Sequence, residues 1–241
     1  MRRWVRAITL MGMTVAAVAL MYLLTGTYPG GKALSERWNP FAPYDVHQRP
    51  GPFTPLQYWR TLHDAALCKA ALARTDLHYT PIPDTATAQG CALQNVVRVT
   101  GASVRFNHPF LASCPLALAL ARFETQDLQA AAHAAYGHAV VAINHVGSYA
   151  CRDIRTSDGR GVGTLSQHAQ ANAIDLSGFT LDNGRIVSIG ENWHGVTADT
   201  RFLHALHTDA CRAFNTTLGP DYNALHSAHF HVDMGPSHLC G

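Results

Sequence analysis

The first feature of the apolar pattern is an unbroken run at the N-terminus. After Arg2, Arg3 and Arg6 no charged residue occurs between Ala7 and Tyr28. About 20 apolar residues suffice to cross a bilayer, and no small-x-small cleavage site follows near Thr25. The expectation is a single transmembrane helix serving as an anchor over residues 1–27, with the arginines in the cytoplasm and the rest exported. A cleaved signal sequence is the alternative, and it exports the chain as well. Residues 28–56 then concentrate Pro and Gly, which predicts a semi-extended tether whose aromatic residues pack in part on the following domain.

From residue 57 to 241 the pattern is that of a folded domain. "LQYWRTLHDAALCKAALART" has helical periodicity, and "VVRVTGASVRF" alternates as a strand or hairpin over Val96–Phe106. "CPLALALARFETQDLQAAAHAAYG" reads as one helix, with Pro115 near its start and Gly137 after its end. "AVVAIN" reads as a buried strand. "ANAIDLSGFTL" and "GRIVSIG" read as a strand pair joined by "LDNGR". A helix is expected from Asp199 to Leu218, capped near Thr197 or Asp199 and stopped by Gly219-Pro220, with "HFHVDM" as a last short strand. Mixed helices and hairpin-linked strands predict an α+β fold with a small, mainly antiparallel sheet.

Composition narrows the function. Apolar residues make up 47% and charged residues 14% of the chain, so a core is available and global disorder is excluded. The formal charge is +2, and the three N-terminal arginines account for the whole excess. The remaining body is near neutral and shows no basic stripe, which argues against a nucleic-acid partner. Six cysteines without a C-x-x-C pair, in an exported chain, read as disulfides. Cys68–Cys91 is the favoured local pairing, and Cys240 is expected to staple the C-terminus.

Fifteen histidines raise the question of which are chemical. His47, His63, His78, His204 and His207 sit in contexts that predict ordinary roles. "HSAHFHVD" differs. On a strand, His229, His231 and Asp233 share one face while Phe230 and Val232 anchor the other, so the imidazoles can converge on a metal or on its water. "SQHAQANAID" sets His168 and Asp175 seven positions apart. A straight helix would separate them by about 10.5 Å along its axis, so the segment must bend. A turn would then present His168 and a strand Asp175, with the small Ala169, Ala171 and Ala173 as spacers. An aspartate between Ile174 and Leu176 is costly to bury without a charge partner. Two nitrogen donors, one carboxylate and an open position form the ligand set of a catalytic zinc site.

"SQHAQANAID" and "HFH" resemble the S-x-H-x(6)-D and H-x-H elements of the zinc D-Ala-D-Ala metallopeptidases and their lysostaphin and hedgehog relatives. "GSYACR", "SQHAQANAIDLSGF", "FNTTLGPDYNALHSAHFHVD" and "RWNPFAPYDV" more closely resemble bacterial extensin-like C-terminal domain proteins. The resemblance implies a hedgehog or D-Ala-D-Ala peptidase-like fold with Zn2+ held by His168, Asp175 and His231. His229 would then act as general base or oxyanion stabiliser. Arg152 would hold a substrate carboxylate or the oxyanion, and Ser166 and Tyr149 are lesser substrate-binding candidates. One branch of those peptidases has a glutamate within E-x-W-H where this chain has Ala228, so a carboxylate base would have to come from Glu191 or Asp233. His226 is expected beside the ligands rather than among them. The implied function is a periplasmic, inner-membrane-anchored zinc peptidase cutting amide bonds in peptidoglycan stem peptides or cross-links, as a carboxypeptidase or an endopeptidase. The alternatives are a non-catalytic zinc module binding cell-wall peptide or a protein partner, and a structural module whose histidines only hydrogen-bond.

Overall fold

A computed structural model describes residues 2–25, 36–87, 90–156 and 160–241, with side chains in the first segment described from residue 9 to 22. The chain divides into two compact units. One comprises Met1–Tyr44 and Gln48–Thr61, the other Asp45–His47 and Leu62–Gly241.

In the first unit, Arg2–Thr25 forms helix α1. The helix falls where the transmembrane anchor was expected, but among the described residues no helix is long and apolar enough to cross a membrane. The expected tether is folded from Glu36 onward, and residues 28–35 lie outside the described residues. Glu36–Trp38 makes a 3-10 turn, and α2 begins at Thr54 and runs to His63. The Gln57 side chain joins them, donating from Nε2 to Glu36 O (2.9 Å) and Asn39 O (2.7 Å). Of the aromatic residues expected to pack, Tyr44 is buried and lies 4.8 Å from the Tyr58 ring, whereas Trp38 and Phe41 are exposed.

The second unit begins with α3 (Ala65–Leu72). The single helix expected here is two, because Asp64 leaves helical geometry and its carboxylate accepts from the Ala66 and Leu67 N–H groups. Strands β1 (His78–Pro81), β2 (Thr85–Ala86), β3 (Ala92–Leu93), β4 (Val96–Gly101), β5 (Arg105–Phe106) and β6 (Phe110–Ser113) follow. The stretch 96–106 is therefore not one hairpin. β4 pairs with β1 and β6, and β5 pairs with a different sheet. Next come α4 (Cys114–Phe123), a π turn at Glu124–Leu128 and α5 (Gln129–Tyr136), ended by Gly137 at φ 69°. In α4 every residue from Leu116 to Ala121 is buried, so this helix is the apolar centre of the unit.

β7 (Val140–Gly147), the hairpin β8 (Asp153–Arg155) and β9 (Gly161–Leu165), β10 (Ala173–Leu181) and β11 (Ile186–Ser188) precede α6 (Ile189–Asn192) and α7 (Ala198–Ala213). α7 starts at the Thr197 cap as expected but stops at Ala213. The following residues form β12 (Thr216–Leu218), since the β-branched Thr216-Thr217 pair fills a place beside β13 (Phe230–Asp233). β14 (Leu239–Cys240) closes the chain.

The main sheet runs β14-β12-β13-β10-β7-β5, with β11 also on β10. Only β5–β7 and β12–β14 are parallel within it, which makes the fold α+β and mainly antiparallel, as the sequence implied. Ile174, Leu176 and Phe179 of β10, Phe230 and Val232 of β13, and Phe202, Leu203 and Leu206 of α7 are buried. Burial of each such side chain stabilises by about 1.5–3 kcal/mol relative to exposure.

The disulfides are Cys68–Cys114, Cys91–Cys151 and Cys211–Cys240. The Cys68–Cys91 pairing is thus wrong. Cys68 on α3 faces the first residue of α4 with Cα atoms 6.1 Å apart, while Cys91 lies against the segment after β7. Sequence proximity misled because α3 packs on α4, not on the intervening short strands. Cys240 does fasten the C-terminus, to α7.

Gly178 marks the tightest contact inside the main sheet. A Cβ there would stand 2.7 Å from Val187 O on β11. Gly178→Ala is expected to destabilise the protein by about 1–3 kcal/mol through overpacking, read as a lowered midpoint in chemical denaturation.

Candidate metal site on the main sheet

Three side chains meet where β10 and β13 pair. Asp175 and His231 are direct cross-strand partners, and alternation on β13 buries Phe230 and Val232 while turning His231 to the other face. His168 arrives from the 3-10 turn Gln167–Gln170, as the bend argument required. Ala171, at φ 52° and ψ 32°, reverses the chain between that turn and β10. This left-handed conformation costs a non-glycine residue about 1–2 kcal/mol. It is held by Ser113 N donating to Ala171 O (2.7 Å) and Asn172 N donating to Gln167 O (2.9 Å). Ala169, Ala171 and Ala173 are fully buried, and their small size lets the backbone double back.

His168 Nε2, Asp175 Oδ1 and His231 Nδ1 form a triangle with edges of 3.0, 3.1 and 3.3 Å. Donors at about 2.0–2.1 Å around a tetrahedral ion stand about 3.3 Å apart, so the triangle has the size of one face of such a site. The other nitrogens are already committed. His168 Nδ1 is 3.1 Å from Ser148 O, an acceptor, so Nδ1 carries the hydrogen and Nε2 presents a lone pair. His231 Nε2 is 3.0 Å from Asp233 Oδ2 and donates there. A carbonyl or carboxylate behind each imidazole is the usual orienting arrangement of metal-binding histidines. A single proton on His231 Nδ1 can serve two edges of the triangle, whereas a cation at its centre serves all three.

The electrostatics favour positive charge. Burial pushes the Asp175 carboxyl up, but hydrogen bonds and charge from His168 and His231 hold it well below the usual carboxylate range. Burial pushes His231 down, and the Asp175 and Asp233 carboxylates overcome this and raise it to about 9. His229 precedes β13, with Nε2 3.5 Å from Asp175 Oδ1. Burial lowers its pKa against the pull of Asp175. His226 is lowered to about 4 by burial and by the neighbouring His231 and His229, and its Nδ1 lies 2.8 Å from Asn223 Oδ1. Side-chain exposure rises from 5% at His168 to 18% at His229, so the triangle is approached from the His229 side.

The remaining expected residues fall elsewhere. Ser166 caps the 3-10 turn, its Oγ accepting from His168 N (3.3 Å), and so supports His168 from behind. Tyr149 packs against Leu93, Val96 and Ala171. Arg152 Nη1 donates to Asp153 O (3.2 Å), and its own carbonyl accepts from Ser166 N (3.0 Å). It thus borders the His168 turn through its backbone. Asp233 is engaged by His231 Nε2 and Gly235 N, and Glu191 is exposed on α6.

Two contributors escaped the sequence reading. Ser148 acts through its carbonyl, which no residue type signals. His145 on β7 is buried within the field of Asp175, its Nδ1 has no hydrogen-bond partner among the described residues, and burial lowers its pKa. Its strand neighbours were the only cue. A second grouping, His207 with Cys211 and Cys240, offers no thiolate because those cysteines are bonded to each other.

The pattern of the extensin-like protein C-terminus family matches residues 66–241. The chain belongs to that family. The match takes in the Ser148–Arg152 segment, the His168 turn and both strands of the triangle, so the whole arrangement lies inside the family domain. No curated protein and no solved structure matches the chain.

The raised His231 sets the sign of the pH dependence. In the metal-free domain its proton adds stability that is complete below about 6.5, the unfolded value. That contribution is lost as pH rises through about 9. A zinc ion taken up by the triangle would have to displace the same proton, so any affinity for zinc is expected to rise about tenfold per pH unit up to about pH 9, measurable by competition with a chromophoric chelator. Asp233→Asn removes the carboxylate behind His231 and is expected to weaken zinc binding about 10–100-fold in the same titration.

Proposed function

We propose that this extensin-like domain is a zinc-dependent peptidase acting on amide bonds of peptidoglycan stem peptides or cross-links. The observation that carries the reading is the convergence of His168 Nε2, Asp175 Oδ1 and His231 Nδ1, with the remaining nitrogen of each histidine tied to Ser148 O or Asp233 Oδ2. In this reading His168, Asp175 and His231 hold the ion, and the motif resemblance to D-Ala-D-Ala metallopeptidases and hedgehog-type relatives supplies the substrate class. When bound, zinc polarises a carbonyl and makes water nucleophilic at neutral pH.

The chain's own residues then handle protons and charge. His229 stands beside Asp175 with its pKa lowered by burial, so at neutral pH it is an uncharged imidazole able to take a proton. Asp233, already accepting from His231 and Gly235, is poorly placed to act as the base. Ala228 supplies no carboxylate, although the neighbouring helix approaches it closely, a Cβ on Gly190 standing 3.0 Å from Ala228 Cβ. His229 is therefore assigned as general base. Arg152 would bind a substrate carboxylate or oxyanion after turning from the Asp153 carbonyl that it now contacts.

The three disulfides favour an oxidising compartment. The described side chains of α1 include exposed Leu10, Met11, Met13, Val15, Val18 and Leu20, which suits attachment to lipid. We place the domain in the periplasm, anchored at the inner membrane by the uncharged run that begins at Ala7.

Ala228 and the Arg152–Asp153 contact also suit a second reading, a zinc-bearing module that binds cell-wall peptide or a protein partner without cutting it. Incubation of the zinc-loaded protein with purified peptidoglycan, followed by mass analysis of the released muropeptides, separates the two. New cleavage products are expected. They should vanish together with bound zinc in His231→Ala. In His229→Ala zinc should be retained and the rate should fall about 10²–10⁴-fold. Intact muropeptides with zinc bound would establish the binding module instead.

A further inference from the structure

Helix α2 is built inside out. Leu56 and Trp59 are 44% and 57% exposed, and Phe53 just before the helix is 36% exposed, whereas Gln57 and Thr61 are 2% and 0% exposed. Residues three and four apart share a helix face, so one stripe carries Phe53, Leu56 and Trp59 outward and another carries Gln57 and Thr61 inward. The inward polarity is satisfied locally. Gln57 Nε2 donates to Glu36 O and Asn39 O, and Thr61 Oγ1 donates to Gln57 O (2.8 Å).

Those bonds fix the 36–41 turn beside the helix, and the turn adds its own exposed rings, Trp38 at 50% and Phe41 at 64%. Guanidinium groups sit among the rings. Arg37 lies 5.6 Å from the Trp38 ring centre and Arg60 5.6 Å from that of Phe41, while Arg60 Nη1 donates to Pro40 O (3.2 Å). Single exposed apolar residues are unremarkable, but five large ones shared between this turn and a helix whose polar stripe is buried mark a surface that something covers.

The chain before the cluster indicates what covers it. The described side chains of α1 carry no charge and are exposed from residue 9 to 22. Only ten residues separate Thr25 from Glu36, a reach of at most about 35 Å. Tryptophan and other rings interleaved with arginine are the composition of the bilayer interface, where aromatic bodies lie among headgroups and guanidiniums reach phosphate. Arg37 and Arg60, set among these rings, favour an anionic surface.

We propose that the Trp38–Phe41 turn and the outer face of α2 form a second membrane contact, lying in the headgroup layer of an anionic bilayer next to α1. This rests on the membrane attachment proposed for α1 and is independent of the zinc chemistry. The contact holds the Trp38–Phe41 turn and α2 at the membrane surface instead of leaving them as a free tether.

The test uses the full chain in phosphatidylglycerol–phosphatidylcholine vesicles whose acyl chains carry bromine, a short-range quencher of tryptophan. The difference in emission between Trp4→Phe and the triple variant Trp4→Phe/Trp38→Phe/Trp59→Phe isolates Trp38 and Trp59. That emission is expected to shift to the blue, to lose intensity in brominated vesicles and to resist aqueous iodide. Emission unchanged by bromolipid overturns the proposal, whether iodide quenches it, as for a surface left in water, or the rings are shielded only at high protein density, as for contact with a second copy. Trp38→Phe/Trp59→Phe, which keeps Trp4, is the control. Bromolipid quenching of Trp4 alone would show α1 in the bilayer with the proposed second contact absent. No quenching of either set would remove the anchor and the contact together.

Discussion

The burial of Asp175 beside two imidazoles constrains the surrounding structure. A carboxylate in the middle of a central strand, flanked by the fully buried Ile174 and Leu176, must be matched by positive charge or hydrogen bonds. The fold meets this by placing His231 directly across the sheet and His168 on a turn that doubles back over the strand. Each imidazole is in turn pinned from behind, by Ser148 O or Asp233 Oδ2. The outcome is a small site in which the His168 lone pair and the Asp175 carboxylate face inward, with a proton on His231 Nδ1 that a cation would displace. Such preorganisation is what a metal ion requires and what a loose cluster of histidines does not provide.

Much of the local architecture follows from holding that geometry. Ala171 occupies a left-handed conformation that an alanine adopts only under constraint, and Ser113 N holds its carbonyl. Backbone bonds from Ala150 N to His168 O and from Ser166 N to Arg152 O lace the segment after β7 to the His168 turn. Cys151, bonded to Cys91, fastens the same segment to the β2–β3 region. Parts of the chain far apart in sequence thus converge on one histidine. A shift of the Ser148 carbonyl would let the His168 ring turn and would misdirect its lone pair.

The two units solve opposite problems. In the family domain, apolar strands and α4 are buried and the polar site opens on one face of the sheet. In α2 the apolar stripe points out and the polar stripe is buried, the reverse of the arrangement in the family domain. The same hydrophobic effect bears on both: the protein interior is the apolar phase in the first case, and lipid is the one proposed for the second.

The residue pattern by itself determined the α+β class, the antiparallel pairing of 173–181 with 186–188, and the bend between His168 and Asp175. Alternation in "HFHVD" was enough to put His231 opposite its apolar neighbours, because side chains on a strand alternate faces without regard to context. The pattern could not determine contacts that depend on which elements pack together. Cys68 bonds Cys114 because α3 lies on α4, a fact of packing and not of spacing. Residues 216–218 became a strand and not the end of a helix because a place was open beside β13. Asp233, read as a possible base, became the support of His231, and Arg152 met the site through its backbone. Local periodicity fixes where a side chain points along its own element. Only the folded sheet decides which groups from distant elements arrive within hydrogen-bonding distance, and so which of fifteen histidines come to surround one buried carboxylate.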